Sequence, residues 1–173
     1  MRIFLIGFMG SGKSYVGRRL AALLSMPFLD LDEEVERGAE ARVRDIFEQK
    51  GEAWFRQRER QALHQMLSYP SAVIACGGGT PCFFDNLEWM KANGLTAYLK
   101  VPAGILADRL QHQQAQRPLL KGMDASALSA FIEKKLAERG PFYDQASIVY
   151  HQQSADEQVP ERLLGQINEY LAQ

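Results

Sequence analysis

Cysteine is scarce in this chain, and its two copies, Cys76 and Cys82, are six positions apart rather than in a C-x-x-C pair. His64, His112 and His151 show no paired ligand spacing either, so neither a disulfide framework nor a zinc site is expected. Two idle thiols fit a reducing compartment, and a cytoplasmic protein is the expectation. Long apolar runs are also missing, so no membrane span is expected. Near the start only Ile3 to Ile6 are continuously apolar, with no cleavage-like site after them, which argues against a signal peptide. Excess charge is absent as well. Twenty Lys and Arg oppose 21 Asp and Glu for a net charge of −1, giving no electrostatic case for a nucleic-acid partner. There is no repeat, low-complexity linker or coiled-coil heptad. One domain over residues 1–173, acting as a monomer, is the simplest organisation.

What is present begins at residue 7. Gly7-Phe8-Met9-Gly10-Ser11-Gly12-Lys13-Ser14 fits G-x-x-x-x-G-K-[ST], the P-loop. Ile3–Ile6 before it reads as a buried strand, and Val16, Leu20, Leu23 and Leu24 after it recur at helical spacing. In that context Gly10, Ser11 and Gly12 bring backbone N–H groups close to a phosphate. Lys13 reaches the β- and γ-phosphates, and the Ser14 hydroxyl ligates Mg²⁺.

Four further strands are expected, at Phe28–Leu31, Ala72–Cys76, Thr96–Val101 and Ser147–Tyr150, with helical patterns between them. Such alternation predicts a doubly wound parallel sheet. Asp30 and Asp32 stand at the end of the second strand, two apart and so on one side of an extended backbone. Either could serve Mg²⁺-bound water or accept a substrate proton. The plainer alternative is that Asp32 caps the helix expected to start at Glu33, a role compatible with catalysis. Residues 33 to 68 read as helical pieces punctuated by Gly38 and Gly51. Arg56, Arg58 and Arg60 crowd the last piece. Arg58 and Arg60 read as a solvated face, whereas Arg56 follows Trp54-Phe55 and precedes Glu59 by three, a setting that can fix a guanidinium for carboxylate recognition. The third strand ends in Gly77-Gly78-Gly79 rather than in the usual Walker B aspartate, which leaves metal and base duties to Asp30 and Asp32. Three glycines in a row allow very close approach of a ligand to the backbone. Residues 111 to 122 are polar and read as a mobile segment delivering Arg117, pinned by Pro118. A helix capped by Asp124 should end at Gly140-Pro141, with Arg139 in its last turn, where the residues alone favour plain compensation of the helix dipole.

Together these motifs resemble the shikimate kinase family, P-loop small-molecule kinases related to the nucleoside monophosphate kinases. Leu-Asp-Leu-Asp at 29–32 resembles its L-D-x-D, Phe55-Arg56 with Glu59 its F-R-x-x-E, and Gly77–Gly79 its triple-glycine loop. Arg117-Pro118-Leu119-Leu120 resembles its lid signature, and Arg139-Gly140-Pro141-Phe142-Tyr143 its R-x-P-x-Y. The resemblance implies a three-layer P-loop NTPase fold with a five-stranded parallel sheet of order 2-3-1-4-5. It implies substrate-binding helices over about 33–60 and a lid over about 111–122. The implied reaction moves the γ-phosphoryl group of ATP to the 3-hydroxyl of shikimate, giving 3-phosphoshikimate and ADP on the route to chorismate and the aromatic amino acids. Asp32 would then partner the substrate hydroxyl, Asp30 would serve the Mg²⁺ site, and Arg56 with Arg139 would clamp the substrate carboxylate. Gly77, Gly78 and Gly79 would line the ring pocket, while Arg109 would pack on adenine and Arg117 would close on the phosphates. Two positions depart from the pattern. Tyr15 stands where a small hydroxyl residue is usual beside the α-phosphate, and Cys76 replaces a hydroxyl residue before the glycines. No late adenine-side motif is legible over Gln152–Gln158. A kinase of another carboxylated polyol such as gluconate, or a P-loop domain without kinase activity, are the competing readings.

Overall fold

Ile3, Phe4, Leu5 and Ile6 are all fully buried, because the strand they form lies in the middle of a sheet covered on both faces. In the computed structural model, which describes residues 1–113, 120–153 and 158–173, this strand is β1, Arg2–Ile6. It pairs in parallel with β3 (Ala72–Ala75) on one side and β4 (Leu95–Lys100) on the other, with Ile3 opposite Val73 and Leu95. β2 (Phe28–Asp30) extends the sheet beyond β3, and β5 (Ile148–His151) beyond β4. The order is β2-β3-β1-β4-β5, as expected, with every pair parallel.

Alternate residues of β1 feed two different cores. Ile3 and Leu5 pack with Val16 and Leu20 of α1 (Lys13–Leu24) and Leu163 and Ile167 of α7 (Val159–Leu171). Phe4 and Ile6 pack with Val35 of α2 (Leu31–Ala39), Leu63 of α3 (Val43–Gln65) and Met90 of α4 (Asn86–Asn93). A third cluster joins Leu106 and Leu110 of α5 (Ala103–Gln111) to Leu128 and Ile132 of α6 (Ala125–Tyr143) and holds the fully buried Leu120. Among the described residues, no helix is long and apolar enough to cross a membrane.

Several boundaries differ from the sequence expectation. Gly38 does not break α2; the stop falls at Glu40, whose φ of 51° is left-handed. Gly51 does break α3, at φ 81° and ψ 170°, a conformation that glycine alone adopts readily. Leu67 is exposed, in a short 3-10 turn over Met66–Ser68 that follows α3. Pro141 does not end α6. Its ring removes one backbone donor, yet α6 runs on to Tyr143, with Asp144 N–H donating to Gly140 O at 2.9 Å. Asp124 caps α6 as expected, accepting from Ala127 N–H at 2.7 Å.

Candidate active site

The P-loop joins the carboxyl end of β1 to α1. Gly10 and Gly12 sit at φ 78° and 90°, where any side chain is strained, and a Cβ on Gly7 would lie 2.9 Å from Leu99 O. No side chain caps α1, so its first N–H groups are directed at the cleft in front of them, the arrangement that binds phosphate. Lys13 Nζ arches back over the loop, donating to Gly7 O at 2.8 Å and Phe8 O at 2.9 Å. The cleft has a volume of about 470 Å³ and reaches from Gly10–Tyr15 across Asp30 and Asp32 to Gly77 and Gly78.

The two carboxylates meet there, but not through strand alternation. β2 ends at Asp30, and helix α2 has already begun at Leu31. Asp30, rather than Asp32, is the helix cap: its Oδ1 accepts the Asp32 N–H at 3.1 Å. Its Oδ2 accepts the Ser14 hydroxyl at 2.7 Å. A hydroxyl and a carboxylate oxygen beside a phosphate-binding loop are hard donors of the kind Mg²⁺ takes with retained water, so these residues fit that ion. Asp32, released from capping, is pushed up to about 6, chiefly by burial and then by the negative charges of Glu59 and Asp30, against the pull of Lys13 and Arg56.

Arg56 is buried and held on several sides. Its Nη1 donates to Glu59 at 2.9 Å, and its Nε and Nη2 both reach Glu52 Oε1, at 3.2 and 3.1 Å. Glu59 is fully buried and accepts the Thr80 hydroxyl at 2.6 Å. The solvated-face reading holds less well for Arg60, which pairs with Asp85 at 2.7 Å. Arg58 lies over Trp54, 4.9 Å from the ring centre.

The triple glycine admits protein side chains as closely as it could admit a ligand. A Cβ on Gly77 would stand 2.8 Å from Glu59 Oε1 and 3.0 Å from Asp32 Oδ1. On Gly78 it would meet Arg139 Nη1 at 3.2 Å, and on Gly79 the Arg56 guanidinium at 2.5 Å. One short loop thus gathers Asp32, Arg139 and Arg56 from three different helices. The Tyr143 hydroxyl donates to Gly78 O, which ties the end of α6 to the same loop. Arg56, Gly79 and Arg139 do not line the main cleft; they lie beside it, against the glycines. Gly79→Ala should leave the protein folded but push Arg56 out of position. If Arg56 takes the substrate carboxylate that the sequence resemblance implies, the KM of the acceptor should rise roughly tenfold or more, the loss of one charge-assisted contact, with the nucleotide KM unchanged. Steady-state kinetics in each substrate decide it.

On the other side of the cleft, Arg109 Nη1 donates to Gly10 O at 3.1 Å. Tyr15 is 63% exposed at the cleft mouth and interacts with Arg19, which pairs with Glu161 of α7 at 3.3 Å. Gln113, Gln152 and Val159 complete this wall. Their sequence neighbourhood carries no motif, and only the return of β5 beside β4 brings Gln152 here, its N–H donating to Lys100 O at 2.9 Å. Glu52 was also missed, although its position four before Arg56 was a readable i,i+4 signal. Cys76 is buried against Met90, and burial raises its thiol pKa. Burial pushes the Cys82 thiol up to about 11. Arg117 and residues 114–119 of the expected lid lie outside the described residues, as do residues 154–157.

A P-loop at the carboxyl edge of a 2-3-1-4-5 parallel sheet, with acidic residues beside it, defines a P-loop kinase. The family model for shikimate kinase matches residues 9–171. The shikimate kinase of Parabacteroides distasonis is 46% identical over 149 residues, 86% of each chain, and that of Flavobacterium johnsoniae is 36% identical over 173 residues, 99% of each. The crystal structure of shikimate kinase from Bacteroides thetaiotaomicron superposes with a TM-score of 0.90 at 38% identity, covering 100% of this chain and 99% of that one. The enzyme from Acinetobacter baumannii, solved in complex with shikimate, gives 0.82 at 32% identity, covering 99% and 92%. The chain belongs to the shikimate kinase family, and its reaction is the ATP-dependent phosphorylation of shikimate.

Proposed function

We propose that the triple-glycine loop is the floor on which shikimate is held for in-line transfer to its 3-hydroxyl, with a separate residue for each task. Asp32 orients that hydroxyl and receives its proton, and Arg56 and Arg139 take the carboxylate at the other end of the ring. Lys13 and the N–H groups of Gly10, Ser11 and Gly12 hold the phosphates of ATP. Ser14 and Asp30 hold Mg²⁺, whose charge offsets that of the phosphates. Arg109 flanks adenine beside Tyr15. Arg117, from the segment over about 111–122, closes on the transferring group, adding positive charge and excluding water. The transition state is loose, so positioning and charge account for most of the catalysis. In this reading the chain works as a single-domain, cytoplasmic monomer.

The observation that carries this reading is the order of contacts along the loop. Gly77, Gly78 and Gly79 give room in turn to Asp32, Arg139 and Arg56, so the proposed base and the two proposed carboxylate ligands share one short stretch of backbone. If the two arginines grip one carboxylate, their losses are coupled. Calorimetric shikimate titrations of Arg56→Lys, Arg139→Lys and the double variant should give a coupling of roughly 0.5–3 kcal/mol. Lysine fails in either place because it keeps the charge but not the planar fork. ATP binding should survive in all three. Strictly additive losses would argue against a shared carboxylate.

A further inference from the structure

The turn after the triple glycine clasps Arg56 with a ring that no motif announces. Phe83 lies 4.2 Å from Arg56 Cζ, closer than Phe55 at 5.2 Å. Its backbone is extended, at φ −117° and ψ 145°, but the next residue, Phe84, sits at φ 53°. That left-handed region is one a bulky side chain avoids, because its Cβ crowds the following carbonyl. The conformation has a geometric result. Successive side chains of an extended strand point to opposite sides, whereas here both rings meet the same helix. Phe83 covers Arg56, and Phe84 lies 5.2 Å from Arg60 one turn further along α3. Asp85 pairs with Arg60 at 2.7 Å and closes the clasp. The segment is fastened at its base too, since Asn86 Nδ2 donates to Thr80 O at 2.9 Å and the Thr80 hydroxyl donates to Glu59. Backbone strain of this kind persists only where surrounding contacts over-determine it.

We propose that Phe83, presented by the left-handed turn at Phe84, is a positioning residue for Arg56 and through it sets the affinity for the shikimate carboxylate. The inference rests on the carboxylate reading of Arg56 given above. A ring against the guanidinium face fixes its plane and leaves the N–H donors at its edge for carboxylates. Those donors already reach Glu52 and Glu59 in that plane, so the ring and the two acids hold the group in complementary directions.

The test is steady-state kinetics in both substrates, with thermal melting to establish that each variant is folded. Phe83→Leu keeps an apolar side chain of similar size but removes the π face, and should raise shikimate KM about three- to thirty-fold, with kcat and ATP KM within about twofold. Phe83→Tyr retains the ring face and should rescue the shikimate KM. Phe84→Val, β-branched and strained at a left-handed φ, should raise shikimate KM more than Phe84→Gly, which adopts that φ freely. Leucine matching tyrosine at position 83, or valine matching glycine at position 84, overturns the proposal. Arg56→Lys is run alongside. An unchanged shikimate KM in that variant defeats the carboxylate reading itself, whereas a raised one beside an inert Phe83→Leu defeats only the role of Phe83.

Discussion

Lys13→Ala will give a folded protein that has lost phosphoryl transfer. The ammonium contacts the carbonyls of Gly7 and Phe8 at the lip of the cleft, and Lys13 belongs to none of the three apolar clusters. Removing it forfeits these contacts and a longer one to the Ser11 hydroxyl, at about 1 kcal/mol or less each, or a Tm drop of several degrees for a chain of this size. Activity responds differently. A positive charge aimed at the transferring phosphate acts where negative charge is redistributed, and losing one such preorganised group costs about 10²–10³ in kcat. A coupled ADP-release assay and a thermal melt on the same preparation separate the two effects. Turnover near that of the parent protein would remove Lys13 from the chemistry.

Asp32→Asn should abolish turnover and yet stabilise the fold at neutral pH. Loss of a general base typically lowers kcat by about 10²–10⁴. The stability gain follows from the environment that pushes the Asp32 carboxyl from 3.8 up to about 6. The folded protein holds this proton more tightly than the unfolded chain does. Stability from this group is therefore fully present below about 4, is lost as pH rises through the window to about 6, and the penalty stays complete above it, at most about 3 kcal/mol. Asparagine carries no charge and escapes the penalty, so the variant should melt several degrees higher than the parent at pH 7.5 and by only about a third of that margin at pH 4.5. In the parent, kcat/KM for shikimate should rise with pH through about 6 as Asp32 ionises. An asparagine variant less stable than the parent at both pH values would show that Asp32 is held by its neighbours rather than strained by them.

The P-loop was legible because it rests on local pattern, four apolar residues, a glycine turn and a helical repeat, whereas the sheet order came only with the resemblance to the family. Asp30 and Asp32 were legible as a pair but not in their division of labour. Which of them caps α2 depends on whether the chain leaves β2 at residue 30 or 31, a boundary that propensity does not fix. Pro141 misled because tertiary contacts override local propensity, and Tyr143 is anchored to Gly78, far away in the chain. Gln152, Phe83 and Thr80 were beyond reach from sequence. Each acts across more than twenty positions, through contacts that exist only once the sheet has assembled.

That dependence on assembly bears on how the enzyme comes into being during synthesis. β1 is made before either of its neighbours, and both are distant in the chain, one beginning at residue 72 and the other at residue 95. Until Leu95–Lys100 has been made, β1 has a bare edge and the loop after it has no wall. Folding must therefore close two long loops before the P-loop is enclosed, a topology that folds slowly and leaves an apolar strand open to wrong partners meanwhile. The nascent chain cannot bind nucleotide piecemeal, and ATP can reward only a sheet that already has its centre.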